Sequence, residues 1–165
     1  MSLMVRLLPL VLPVASGWVA WHERRILRLG VPLSAGEIAD AARMGVRHPE
    51  KIRLLKTDDI TVLNGVWVRT AARWIPSVSP HTVGLSLRYG IYVRSRHWRD
   101  RRLIAHECVH TAQYERLGGI RAFLRAYFTE CILSGYPGAP LEQEAIMRSS
   151  GLQPDQTDPF GWIEG

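Results

Sequence analysis

The chain has 165 residues, 47% hydrophobic and 22% charged, with a formal net charge of +6. That length supports one domain with a substantial core, and the composition excludes a disordered or low-complexity chain. Two cysteines, Cys108 and Cys131, exclude a disulfide framework and read as buried thiols.

The first segment, Leu7 to Trp21, reads LLPLVLPVASGWVAW and is apolar apart from Ser16. It is shorter than the roughly 20 residues a membrane-spanning helix needs, and Pro9, Pro13 and Gly17 interrupt it. Residues 1–30 therefore read as a helical segment that packs on the domain or lies on a membrane surface. A signal or anchor is the alternative, but no clear A-x-A cleavage motif follows. The expectation is a cytoplasmic protein, peripheral to the membrane.

From Trp18 to Leu29 apolar residues recur at helical spacing, and Gly30 and Pro32 end the pattern. Ser34 and Glu37 form a capping-box signature for a helix that runs to about Met44 and stops at Gly45. Lys51 to Lys56 reads as a strand. Asn64-Gly65 suggests a turn, and Val66 to Trp74 fits a helix with Arg69 and Arg73 outward. Thr82 to Leu87 and Ile91 to Arg94 read as strands around a tight turn or bulge at Arg88-Tyr89-Gly90. Asp100 caps a helix from Arg101 to Leu117, closed by Gly118-Gly119. Further helices fit Ile120 to Ser134 and Pro140 to about Ser150. Residues 152–165 look like an irregular tail. The fold class is α+β, mostly helical, with a small sheet against the Arg101 helix; the working domain spans residues 31–151.

That helix carries HECVH, His106 to His110, the pattern H-E-x-x-H. Residues i and i+4 of a helix differ by roughly 40° around its axis, so His106 and His110 share a face and can grip one metal ion. Glu107 can reach a metal-bound water. Cys108 lies roughly 160° or more from either histidine and should pack in the core. Leu103, Ile104, Ala105 and Ala112 make the helix substantially buried, where two histidines and a glutamate are costly unless paired or metal-bound. Zn²⁺ is the expected ion.

A catalytic zinc needs a third protein ligand. Glu115 lies roughly 140° from His110 on the same helix and cannot converge. Glu130, Glu142 and Glu144 remain, and only one of Glu142 and Glu144 can face the metal, since they lie roughly 160° apart. His22, His48, His81 and His97 are scattered upstream and read as surface or turn residues.

The stretch YGIYVRSRHWRDRRLIAHECVHTAQYERLGG, followed by PLEQEA, resembles a small bacterial zincin-type, gluzincin-like metallopeptidase domain, similar to those found near contractile injection systems. The resemblance covers roughly residues 82–148 and rests mainly on H-E-x-x-H with Gln113 three residues on. It implies a zincin-like fold, a peptide or protein substrate, and Glu142 as the third ligand beside His106 and His110. Such families often carry an acidic residue four positions after that ligand, where this chain has Ile146, so the group bracing a zinc histidine is unassigned and Glu144 and Glu130 stay in play.

The implied chemistry is hydrolysis of a peptide bond by zinc-activated water, with Glu107 as general base. Ile91 to Arg94 could hold an extended peptide by backbone pairing. Tyr136, His81 and Tyr127 are candidates to stabilise the oxyanion. The rival reading is a non-enzymatic basic protein. Arg94, Arg96, Arg99, Arg101 and Arg102 form a cluster that could grip nucleic-acid phosphates or anionic headgroups, with zinc structural or absent.

Overall fold

A computed structural model of the chain describes residues 3–58, 60 and 82–152. Five α-helices and four strands lie within them: α1 (Leu3–Leu29), β1 (Val31–Pro32), α2 (Ala35–Arg43), β2 (Arg53–Thr57), β3 (Gly84–Leu87), β4 (Gly90–Arg94), α3 (Arg101–Leu117), α4 (Ile120–Ser134) and α5 (Pro140–Ser150). The class is α+β, as expected. The Asn64-Gly65 turn, the Val66–Trp74 helix, His81 and residues 153–165 lie outside the described residues.

The strands form one sheet in the order β1-β2-β4-β3. β2 and β4 run parallel, whereas β1 with β2 and β3 with β4 are antiparallel. Side-chain alternation divides the core. Leu54, Ile91 and Val93 join Ala41, Ile104, Ala105, Cys108 and Val109 on the side of α2 and α3. Leu55, Leu85 and Tyr92 join Leu12, Val19 and Ile26 of α1, together with Phe123 and Phe128 of α4. β4 is thus buried on both faces, which explains its unbroken apolar run, Ile91-Tyr92-Val93.

The helix boundaries follow their local chemistry. The Ser34 side chain accepts from the Glu37 backbone N–H while the Glu37 carboxylate accepts from the Ser34 N–H, so the capping box is complete. The Asp100 side chain accepts from the Leu103 N–H at 2.9 Å, and Gly118 ends α3 at φ +97°, a conformation costly for residues with a Cβ. Between β3 and β4 the turn is Arg88-Tyr89, with Arg88 at φ +65°. The Thr111 hydroxyl of α3 donates to the Arg88 carbonyl at 2.7 Å, and the Tyr89 N–H donates to Glu23 of α1 at 3.2 Å. Helices on both sides of the sheet therefore anchor the turn.

Three expectations need correction. Pro9 and Pro13 do not interrupt the first segment; α1 runs through both. Each proline removes one rung of the helix ladder, but burial of Leu8, Leu12, Val19 and Ile26 offsets the loss at about 1.5–3 kcal/mol per side chain. That helix does stop at Leu29, as expected, and Pro32 lies in the short edge strand β1, where its missing N–H is tolerated. The strand expected from Lys51 starts at Arg53, because Pro49–Lys51 forms a 3-10 turn. His22 is not a surface residue: it is buried against Tyr92, with its Nδ1 3.0 Å from the phenol oxygen. Burial, helped by the charge of Arg25, pushes its pKa down to about 4.

Gly90 is where α1 meets the sheet. A Cβ there would lie 2.9 Å from both Cβ and Cδ1 of Ile26. Gly90→Val should lower stability by about 1–3 kcal/mol through overpacking, read as a lower urea midpoint. A midpoint equal to that of the parent would show that α1 is not seated on β4.

Candidate metal centre

The sheet approaches α3 along one ridge. Glu107 and Thr111, one helical turn apart, lie on Gly84 and Ser86, which are two residues apart on one face of β3. The Ser86 hydroxyl is 3.3 Å from that of Thr111, and the Ser86 backbone N–H donates to Glu107. A Cβ at Gly84 would stand 2.6 Å from Glu107 Oε1. Small residues on β3 thus let the Glu107 carboxylate lie directly against the strand. The resulting burial raises its pKa, opposed by the charge of His106 and His110 and assisted by Glu142.

His106 and His110 leave the same face of α3, their ring centroids 5.0 Å apart. Both point at Glu142, which enters from the first turn of α5. His106 Nε2 is 3.3 Å from Glu142 Oε1, and His110 Nε2 is 3.4 Å from Glu142 Oε2. Among the described residues these three form the one group of His, Cys, Asp or Glu side chains able to hold a metal ion, with ligand atoms all within 4.8 Å of one another. A tetrahedral zinc bonded at about 2.0–2.1 Å would set its donors about 3.4 Å apart. Donor type and number suit zinc, and the two His–Glu142 distances match that spacing.

The tautomer of His110 sharpens the fit. Gln113 is fully buried, and its Nε2 donates to the Leu141 carbonyl at 2.8 Å and to Glu144 at 3.0 Å. Its Oε1 must then be the atom that accepts from His110 Nδ1, at 2.8 Å. With the proton on Nδ1, the Nε2 lone pair of the neutral ring faces the Glu142 carboxylate. Two acceptors aimed at each other need a cation between them, a proton or a metal ion. The pKa directions agree. Burial works against charge on His110, yet hydrogen bonding and charge from Glu142 raise its pKa overall. Burial likewise works against ionisation of Glu142, but its two histidine partners hold that carboxyl below the usual range.

The other candidates are occupied elsewhere. Glu130 accepts the Leu141 N–H at 2.8 Å and so satisfies an orphan donor at the start of α5. Glu144 is paired with Arg116 at 2.7 Å and held down to about 2, chiefly by that hydrogen bond. Glu115 faces away and binds the backbone N–H groups of Arg47 and His48 and the Tyr89 hydroxyl. Cys108 packs in the core, where burial raises its thiol pKa. Tyr127 and Tyr136 donate to the two oxygens of Glu142, at 3.0 and 3.2 Å; Tyr127 is buried and Tyr136 is 44% exposed. Of the arginine cluster, Arg99 pairs with Glu37, and Arg101 pairs with Asp40 at 2.7 Å.

Two site expectations change. β4 cannot offer its backbone to a peptide, because β2 and β3 pair with both its edges; among the described residues β1 and β3 are the edge strands, and β3 is the one that lies against Glu107. The group bracing His110, left unassigned because Ile146 stands where an acid was expected, is Gln113 on α3 itself. Its signal was its spacing, three residues beyond His110, with the carbonyl reaching back to the ring.

Comparison with protein-family models, curated proteins and solved structures gives no match.

Gln113→Leu should keep the fold's volume while freeing His110. Zinc affinity is expected to fall about 10–100-fold, measured by competition with a chromophoric chelator. Unchanged affinity would remove Gln113 from the support of the site.

Proposed function

We propose that the protein is a zinc-dependent peptidase of zincin-like architecture, acting on peptide bonds. The observation that carries this reading is the convergence of His106 Nε2, His110 Nε2 and the Glu142 carboxylate beside the buried Glu107. Two imidazoles and one carboxylate are the donor set of catalytic zinc sites that leave a position open for water or substrate. Bound there, zinc would supply a Lewis acid that polarises a carbonyl and brings the pKa of water near neutrality.

The chain's own residues divide the remaining work. Glu107 accepts the proton of the attacking water and returns it to the leaving amine. Its raised pKa suits proton transfer, and a nearby divalent cation would draw it back toward the ionised form needed at the start. Tyr127 is spent on orienting Glu142. Tyr136, more exposed and reaching the same carboxylate, is the better placed of the two to donate a hydrogen bond to a developing oxyanion. The edge of β3 lies beside Glu107 and offers backbone groups to an extended substrate.

Digestion of a peptide library by the parent and by Glu107→Gln, at matched zinc occupancy, tests this reading. Loss of the base should slow cleavage by roughly 10²–10⁴-fold with fold and metal retained. Equal cleavage by both proteins would contradict it.

A further inference from the structure

We propose that the outward stripe of α1 docks on an anionic lipid bilayer, with the helix lying in the plane of the membrane and its opposite face remaining in the protein core. The helix has two apolar faces. Leu8, Leu12, Val19 and Ile26 are buried against the rest of the domain. Leu7, Leu10, Val14 and Trp21 are 47%, 74%, 70% and 58% exposed. At 100° per residue these four fall within an arc of about 60°, centred roughly 145° from the buried set. The stripe is about 21 Å long and contains no charged residue between Leu7 and Trp21.

Charge selects the occupant. Exposed Arg6 precedes the stripe, and exposed Arg24 and Arg28 continue it beyond Trp21. The single acid of α1, Glu23, is buried and holds the Tyr89 N–H. The outward face therefore presents apolar and cationic groups alone. A second copy of the chain would set arginines against arginines in either orientation, with no acid on the face to neutralise them. Anionic headgroups supply the missing charge, while the acyl boundary takes Leu10 and Val14 and the interface takes Trp21. Val5–Leu29 is long and apolar enough to cross a bilayer by length and composition. Crossing would, however, break the His22–Tyr92 and Glu23–Tyr89 contacts and strip Leu12, Val19 and Ile26 from the core.

The test is co-sedimentation of the full chain with vesicles of phosphatidylcholine alone and with phosphatidylglycerol added. The parent should bind the second kind only, less tightly as salt rises. Leu10→Glu/Val14→Glu should abolish binding. Arg24→Gln/Arg28→Gln should weaken it about 30-fold, each arginine near the surface being worth about 1 kcal/mol. All four positions are solvent-exposed, so a thermal melt matching the parent will confirm that the variants fold. The proposal is overturned if the parent binds neither vesicle, if it binds both equally, if the variants bind like the parent, or if Leu10→Glu/Val14→Glu instead dissociates a dimer of the free protein.

Discussion

The Glu142 carboxylate is buried facing two imidazoles, and the helices around it are arranged to hold it there. Glu107 adds a second buried carboxylate beside it, so with neutral histidines the site would hold two negative charges and no cation. Such a cluster is expensive in a low-dielectric interior. Protonation relieves it in part, and the upward shifts of Glu107 and His110 both describe a site that gathers positive charge. A divalent ion would balance both carboxylates at once and use the lone pairs that protons otherwise occupy.

The surrounding fold holds that unfavourable charge in place. Gln113 ties α3 to α5 by binding the Leu141 carbonyl one residue before Glu142. Glu130 of α4 holds the N–H of the same Leu141, so both polar backbone groups of that residue are anchored by neighbouring helices. The Glu144 pairs with Arg116 and Arg148 lock the next turn of α5. Tyr127 and Tyr136 occupy the Glu142 oxygens from the third side. On the other flank, β3 fixes Glu107 through Gly84 and Ser86. Glu107 and Glu142 are thereby each held by elements other than their own, the support that precise sites require.

Much of this was legible in the chain because it is local. Capping chemistry at Ser34, Asp100 and Gly118 marks helix ends, and helical periodicity puts His106 and His110 on one face with Cys108 opposite. The choice among Glu130, Glu142 and Glu144 was not legible from spacing alone, because it depends on how α4 and α5 cross α3. The resemblance to gluzincins pointed to Glu142, and the geometry brings Glu142 to both histidines. Residue 22 misled because a histidine in an amphipathic helix has no local sign of its partner; Tyr92 is 70 residues away. The prolines misled for a related reason: their local cost is fixed, whereas the burial that offsets it comes from α4 and the sheet. In the sequence β4 looks like a peptide platform, because strand order in a parallel pairing is set by long-range contacts that no short motif records.

Whether His106, His110 and Glu142 together hold one zinc ion is decided by elemental analysis of protein purified without an affinity tag. One zinc per chain is expected in the parent, with its loss in His106→Ala/His110→Ala while the fold stays intact. Equal zinc in that double variant and in the parent would contradict that expectation.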